Sequence, residues 1–423
     1  MKLYEGCYVG ALDNGLKILA EPRNDRPVSV GIWVRTGSRD EPAEFNGITH
    51  FVEHMLFKGT KHRTAFQISE EIDALGGFIN GMTHKEYTLF YVDVLPQHLE
   101  RALDVLADLV KNPLFKEEDI DKEKGVILEE IRMVEDDPQE KVFDLFVENI
   151  WGHSHPLARP ILGKETSVKR LNREACLKQF GLYNARNMLL VAVGAVEFGK
   201  LKELAQAKLG DLGSSQGLPP RFPPKPNQHF HIEDRDSHQA HLCLGVPGID
   251  RSDPRRFTLE VLNTILGGGM SSRLFKRIRE ELGLAYAVSS SPSFYLDSGL
   301  FSIYIGTEPA NAPKTVEIVQ EEMKKLVQEP VSSETLRLAK EKLKGNLILG
   351  LDSSHARMMR LGVGEIYNLH MPVDNVIAQI EAVTADEVQT VAQALFQEDA
   401  LSLTVIGPEK QLSGLAQLTS SHG

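Results

Sequence analysis

The sequence predicts an α+β protein of two homologous halves, each with helices packed on a mainly antiparallel β-sheet. Three observations predict this architecture. The 423 residues exceed what one ordinary core holds. Strand-like and helical segments alternate without βαβ regularity, and their order occurs twice. A segment rich in Pro, Gly and Ser separates the repeats, so we expect a first half at 1–212, a linker at 213–228 and a second half at 229–423.

The first half begins its pattern with the apolar strand PVSVGIWVRTGS, which a helix around His50 follows. The later segments are a second helix, two strands separated by a turn, and two long helices: AFQISEEIDALGG, FINGMTH, YTLFYVDVL, HLERALDVLADLV and EEDIDKEKGVILEEIRMV. Short runs of β-branched and aromatic residues bounded by turn residues predict the strands, and apolar residues three and four apart predict the helices.

The second half repeats this order of elements. Its segments are QAHLCLGVPG, RRFTLEVLNTIL, SRLFKRIREELGLAYAVSSSPSF, GLFSIYIGT, APKTVEIVQEEMKKLV and SSETLRLAKEKLKGNLILGL. A long-period repeat of this kind indicates gene duplication.

Composition limits the class of protein. A formal net charge of −12 argues against a nucleic-acid surface. No apolar run is long enough for a membrane span, and the N-terminal residues lack the pattern of a signal peptide. The odd and widely spaced cysteines Cys7, Cys176 and Cys243 indicate neither disulfides nor a CxxC metal site. We therefore expect a soluble, cytoplasmic protein with no membrane or nucleic-acid partner.

The segment GITHFVEHMLFKGTKHR places His50, Glu53 and His54 on a helix whose other residues are mainly apolar. Residues four apart lie above one another, so the two imidazoles can meet at one point with Glu53 beside them. Two neutral histidines and one carboxylate are a common Zn²⁺ ligand set. If another carboxylate completes that set, Glu53 is free to act as general base, and the spelling HxxEH is that of an inverted zincin.

The repeat provides an internal control. Our alignment places Leu259, Leu262 and Asn263 opposite the polar trio, so the helix does not need those side chains for packing. The alternative is a pair of surface histidines beside a glutamate.

Glu130 is the candidate third ligand, on the long helix DKEKGVILEEIRMVEDD. Glu123 precedes it by two helical turns and so lies on the same face, where it can orient a ligand. Glu129 is expected to face away. The duplicate has Gly350 and Leu343 at the positions of Glu130 and Glu123. The alternative is an ordinary solvated, Glu-rich helix.

Together with HFVEHMLFKGT, the segments LGGFINGMTHKEYT and HPLARPILG give a sequence that resembles the inverted-zincin peptidases of the pitrilysin and mitochondrial processing peptidase family. The match covers nearly the whole chain, whose length is that of the half-size members. The resemblance implies one Zn²⁺ per chain held by His50, His54 and Glu130, with Glu53 as general base and Glu123 as the additional glutamate of the family.

The resemblance also assigns Arg279 and Tyr286, in RIREELGLAYAV, to the pair that holds the substrate carbonyl and the tetrahedral intermediate. A cation and a phenol aimed at developing negative charge stabilise an oxyanion. The alignment places Ile72 and Ile79 opposite the pair, so each half holds one functional set and lacks the other. The alternative is a surface salt bridge for Arg279 and a core position for Tyr286.

The expected function is a zinc endopeptidase that acts on short or unfolded peptides in an enclosed chamber. An extended peptide would pair with the strand in GGFINGMTH, where Asn80 is a candidate contact. Because one half-size chain carries both functional sets, we expect a homodimer whose sites are shared between chains. The alternatives are a non-catalytic scaffold subunit of the same family and a zinc hydrolase of small molecules.

Overall fold

The computed structural model describes residues 2–4, 6–24, 26–214, 217–397, 399–412 and 414–416. They form two compact units. Unit 1 contains the residues up to Met133, Arg159–Arg221 and Gly350–Pro372, and unit 2 contains Val134–Ala158, Phe222–Leu349 and the residues from Val373 onward. Each unit has one β-sheet with helices. The α+β class predicted from the sequence is confirmed.

Six strands of the described residues, β4, β5, β6, β9, β10 and β11, lie in the predicted segments, and the other six were not predicted from the sequence. In chain order they are β1 Lys2–Tyr4, β2 Cys7–Ala11, β3 Lys17–Pro22, β4 Val28–Val34, β5 Phe78–Thr83, β6 Thr88–Val94, β7 Met188–Gly194, β8 Phe230–Asp234, β9 Ala240–Pro247, β10 Ala285–Phe294, β11 Gly299–Thr307 and β12 Ser402–Gly407. The first seven belong to unit 1 and the rest to unit 2.

The α-helices of the described residues include those predicted, except that the segment SRLFKRIREELG forms a π-helical segment. In chain order they are α1 Ile48–Leu56, α2 Ala65–Asp73, α3 Leu99–Lys111, α4 Glu117–Asp136, α5 Pro138–Trp151, α6 Glu165–Val168, α7 Arg173–Phe180, α8 Phe198–Leu209, α9 Arg256–Leu266, α10 Ala312–Gln328, α11 Ser333–Gly350, α12 Ser354–Ile366, α13 Val373–Ala382 and α14 Ala385–Leu395. A π-helical segment, Phe275–Glu281, lies between α9 and β10. None of these helices has the length and apolarity needed to cross a bilayer.

The sheet of unit 1 has the strand order β1-β2-β3-β7-β4-β6-β5. All neighbours are antiparallel except β3 and β7. The interior strand β4 is buried along its whole length, because helices cover both faces of the sheet there. Strand β5 is the last strand of the sheet, so one of its edges has no neighbouring strand among the described residues.

The sheet of unit 2 has the order β10-β11-β9-β12-β8, and only β12 and β8 are parallel. One face packs against α9, α10 and α14 through a large apolar cluster. The helix α9 occupies the position in the repeat that α1 occupies in the first half, and its Leu259 and Leu262 are fully buried.

The compact units differ from the sequence halves by two exchanged helices. In unit 1, α12 from the second half packs on β4 and β7, with Met358 and Leu361 against Trp33. A Cβ at Gly362 would lie 2.2 Å from the Trp33 ring, so this approach requires glycine. In unit 2, α5 from the first half covers β9 and β12. Each exchanged helix buries a sheet face that would otherwise expose apolar side chains to water.

Candidate metal centre and active site

The helix α1 presents two different faces. Phe51, Val52, Met55 and Leu56 are buried in the apolar cluster of unit 1 and fix the helix against the sheet. The other face of α1 carries His50, Glu53 and His54. They share this face because residues three and four positions apart lie on the same side of a helix. The ring centroids of the two histidines are 4.4 Å apart.

Glu130 of α4 reaches both histidines. Its Oε2 lies 4.0 Å from His50 Nε2, and its Oε1 lies 3.9 Å from His54 Nε2. One ligand atom from each of the three residues lies within 4.8 Å of the other two, and this is the only such group of His, Cys, Asp or Glu among the described residues. The structure therefore brings the three predicted metal ligands together.

The donor set and spacing fit Zn²⁺. Bonds of about 2.1 Å in a tetrahedral arrangement separate ligand atoms by about 3.4 Å, and the histidine-to-glutamate distances exceed this by about half an ångström. Glu130 is half-buried and long enough to close that gap by a rotamer adjustment. Two imidazoles and one carboxylate leave a fourth position for water, as in catalytic zinc sites.

Glu123 supports His54. Its Oε1 accepts a hydrogen bond from His54 Nδ1 at 2.8 Å, and its Oε2 lies 2.6 Å from Lys58 Nζ. Burial opposes the charged carboxylate, but the bonds from His54 and Lys58 outweigh it and lower the pKa of Glu123. This arrangement directs His54 Nε2 toward Glu130. Glu129 is exposed and pairs with Arg132, on the other side of α4.

Burial sets the protonation of His50. It lowers the pKa of His50 to about 3, and the neighbouring His54 acts in the same direction. His50 is therefore neutral near pH 7, as a metal ligand must be. Burial also opposes the charged form of His54, yet the Glu123 hydrogen bond and the nearby carboxylates raise its pKa. A metal ion at this site competes with that proton.

Glu53 lies beside the three metal-ligand candidates and is held by β5. Thr83 Oγ1 donates a hydrogen bond of 2.9 Å to Glu53 Oε2. A Cβ at Gly81 would lie 2.8 Å from Glu53 Oε1, so the absence of a side chain there leaves room for the carboxylate. Burial raises the pKa of Glu53, and the Thr83 bond opposes the shift. A carboxylate with a raised pKa suits general base chemistry near neutral pH.

Asn80 occupies the same edge strand. It is exposed on β5, and its Oδ1 accepts from Gly81 N at 2.9 Å. Thr83 and Gly81 alternate with Asn80 along the strand, so Asn80 points to the face opposite Glu53. The structure therefore places Asn80 on the strand that touches α1 but not among the groups around Glu130.

Arg279 and Tyr286 lie in unit 2 and form a pair. The Arg279 guanidinium carbon is 5.1 Å from the centre of the Tyr286 ring and 4.8 Å from that of Phe275. Tyr286 is 77% exposed, so it is not a core residue. Glu280 Oε1 lies 3.9 Å from Arg279 Nε. The pair is thus available to a ligand at the surface of unit 2.

Lys58 and Thr83 were not among the residues singled out from the sequence. Lys58 comes four residues after His54, a spacing that places two residues on the same face of a helix and that the sequence does show. It lies just beyond the end of α1, however, and its partner Glu123 is distant in sequence. Thr83 alternates with Gly81 on β5, and no signal in the sequence joins that strand to Glu53.

Comparisons with known proteins agree with these observations. Residues 17–165 match the family described as insulinase (peptidase family M16), and residues 181–343 match the peptidase M16 inactive domain. An uncharacterized zinc protease of Streptomyces coelicolor is 39% identical over 417 residues, covering 96% of this chain and 90% of the relative. One of Bacillus subtilis is 39% identical over 405 residues, covering 93% and 97%.

Solved structures share the fold. A protease from Helicobacter pylori superposes with a TM-score of 0.90 at 22% identity, covering 95% of this chain and 99% of that one. A peptidase M16 inactive domain from Pseudomonas fluorescens gives 0.87 at 22% identity, covering 95% and 98%. The chain therefore belongs to the pitrilysin-type zinc metallopeptidases of peptidase family M16, among the members of half-size length.

Proposed function

We propose that this chain is a zinc-dependent endopeptidase that cleaves short or unfolded peptides in an enclosed chamber. One Zn²⁺ per chain would be held by His50, His54 and Glu130. The observation that carries the proposal is the convergence of these three side chains, from two helices, beside the buried carboxylate of Glu53. The family and the zinc protease relatives support the same class of reaction.

The residues of the site have separate roles in peptide hydrolysis. Zn²⁺, when bound, lowers the pKa of a coordinated water and polarises a carbonyl. Glu53 takes up the proton of the attacking water and delivers it to the leaving amine. Thr83 holds the Glu53 carboxylate in place during both transfers. Glu123 orients His54, and Lys58 in turn holds Glu123.

The free edge of β5 is the proposed binding surface for an extended peptide. A peptide added there would use main-chain hydrogen bonds, so it would be selected for its extended form more than for its side chains. Asn80 is the proposed side-chain contact on this strand. The closeness of β5 to Glu53, through Gly81 and Thr83, supports this choice of edge.

Arg279 and Tyr286 are proposed to stabilise the oxyanion of the tetrahedral intermediate. A guanidinium and a phenol hydroxyl donate hydrogen bonds to the developing negative charge. The exposure of Tyr286 and its contact with Arg279 support a role in ligand binding. We further propose a homodimer that shares its sites, and a cytoplasmic location, which the three free and buried cysteines support.

A peptide-length ladder tests the proposed reaction. Unstructured peptides of increasing length are incubated with the protein, together with small ester and amide substrates, before and after zinc chelation. An endopeptidase cleaves interior bonds of the longer peptides and loses this activity on chelation. Turnover of the small substrates alone would instead favour the small-molecule hydrolase, and no turnover of any substrate by a zinc-loaded protein would favour the scaffold.

A further inference from the structure

Glu41 does not directly precede α1 in the sequence. Its side chain nevertheless lies at the beginning of that helix. Its side chain is buried, with 4% of the residue exposed. Oε2 accepts hydrogen bonds from Gly47 N at 2.8 Å and from Asn46 Nδ2 at 3.0 Å. Oε1 accepts from Thr49 N at 2.8 Å. One carboxylate thus satisfies two backbone N–H groups at the start of the helix.

The start of α1 has no other side-chain cap. Gly47 is the N-cap residue, with φ of 95°, and it has no side chain to accept the N–H groups of the first turn. An unsatisfied N–H in this buried place would cost about 1–3 kcal/mol. A carboxylate at a helix N-terminus also interacts favourably with the helix dipole. Glu41 therefore caps α1 from outside the helix.

The two histidines of α1 differ in their support. His54 Nδ1 is bonded to Glu123. His50 Nδ1 is buried and has no hydrogen-bond partner among the described residues. A hydrogen bond to the ring of His54 thus fixes its orientation. The ring of His50 has no such bond among the described residues, so its orientation depends on the position of its backbone. His50 follows Thr49 directly, so that backbone is the turn bonded to Glu41.

We propose that Glu41 is a positioning residue for the metal centre, which fixes the first turn of α1 and through it holds His50 in the geometry of a ligand. This inference rests on the proposed zinc site. Glu41 does not touch the metal ligands, the substrate or the reacting atoms; it acts through the backbone of Gly47 and Thr49.

The surroundings of Glu41 are closely packed and hydrogen-bonded. Asn46 also donates to Pro160 O at 3.0 Å, and Ser167 Oγ donates to Asn46 O at 2.7 Å. A Cβ at Gly47 would lie 2.5 Å from Leu162 O, so the chain passes close to that loop. Burial raises the pKa of Glu41 to about 7, although its three hydrogen bonds oppose the shift. The Glu41 carboxyl group is therefore hydrogen-bonded to buried protein groups and not to solvent.

Glu41→Gln tests the proposal, with Glu44→Gln as the matched control. Gln keeps the size of the side chain but removes its charge and presents an amide N–H₂ to donors. Glu44 lies in the same loop and is exposed. Zinc affinity is measured by competition with a chromophoric chelator, using Zn²⁺ alone as the probe. Glu41→Gln should weaken zinc affinity by about tenfold or more, the scale for a lost supporting partner, and the control should match wild type.

The melting temperature of the zinc-free protein separates positioning from a merely structural role. A lower melting temperature with zinc affinity within twofold of wild type would overturn the proposal. If Glu41→Gln does not fold, Glu41→Asp, which keeps the charge but shortens the reach, is measured in the same way and decides by the same criterion. Wild type that binds no zinc would overturn the proposed metal site itself, which distinguishes the two failures.

Discussion

At the scale of single residues, Arg279 is a half-buried cation that contacts two aromatic rings. Its guanidinium carbon lies 4.8 Å from the centre of the Phe275 ring and 5.1 Å from that of the Tyr286 ring. Contacts with aromatic faces orient the cation and leave its N–H groups available. Arg279 also lies in the π-helical segment Phe275–Glu281, and such segments are frequent at functional sites.

Tyr286→Phe should lower kcat more than it raises KM. The substitution keeps the ring that contacts Arg279 and removes only the hydroxyl proposed to stabilise the transition state. A lost oxyanion donor predicts a fall of roughly a hundredfold in kcat. Steady-state kinetics on one peptide measures both constants, with Tyr8→Phe as a control that removes a hydroxyl from a tyrosine elsewhere. An unchanged kcat would contradict the assigned role.

Helical spacing explains why the polar trio of α1 could be assigned to one face from the sequence. Residues three and four apart must share a face of a helix, so His50, Glu53 and His54 needed no tertiary information. Thr83 and Glu41 did need it. Their bonds to Glu53 and to the first turn of α1 depend on how strand and loop pack against that helix. No spacing rule connects elements that meet only in the folded chain.

At the scale of elements, the exchange of α5 and α12 completes the two sheets. Apolar strands such as β4 and β9 predict sheets buried on both faces. The pattern states that a face must be covered but not which helix covers it, and neither α5 nor α12 was among the segments predicted from the sequence, so the exchange was not predicted. Gly362 permits the close approach of α12 to Trp33, and Glu365 adds polar contacts within unit 1.

Glu365 holds α12 through charge. The side chain is 4% exposed and lies 2.6 Å from Lys17 Nζ, 2.9 Å from Arg35 and 2.8 Å from His370 Nε2. Burial opposes the carboxylate, but the hydrogen bonds from His370 and Lys17 outweigh it and lower its pKa to about 2. Because the pKa is lower in the folded state, the stabilisation is complete above the unfolded value of about 4.3 and is lost as the pH falls toward about 2.

Glu365→Gln should therefore lower the melting temperature at pH 7, and the difference from wild type should shrink as the pH falls from about 4.5 toward 2. Loss of charged hydrogen bonds of this kind corresponds to about 2 kcal/mol at pH 7. Thermal unfolding over a pH series measures the effect. The exposed Glu203 provides a control, Glu203→Gln, expected to follow wild type. A difference that stays constant down to pH 2 would contradict the charge-based explanation.

At the scale of the whole molecule, the residues proposed to be functional are divided between the two units. His50, His54 and Glu130 belong to unit 1, and Arg279 and Tyr286 belong to unit 2. In our alignment of the halves, α9 has Leu259 and Leu262 where the first half has His50 and Glu53, so the second half lacks these polar side chains. A homodimer can join the zinc residues of one copy to the Arg and Tyr of the other.

Mixing two inactive variants tests shared sites. One chain carries His50→Ala, and the other carries Arg279→Ala with Tyr286→Phe. Under conditions that allow subunit exchange, half of the dimers become mixed, and each mixed dimer has one intact site of two. Activity should therefore recover to roughly a quarter of wild type. If exchange is verified with distinct tags and no activity returns, the sites are not shared between copies.

Zinc content and peptide hydrolysis, measured on the same samples of wild type and Glu53→Gln, test the peptidase assignment most directly. Both proteins should hold about one zinc per chain, because Glu53 is proposed as the base and not as a ligand. Wild type should hydrolyse the peptide and the variant should be slower by about a hundredfold or more, the scale for a lost general base. Full activity in a zinc-loaded Glu53→Gln protein would contradict the assignment of Glu53 as the general base.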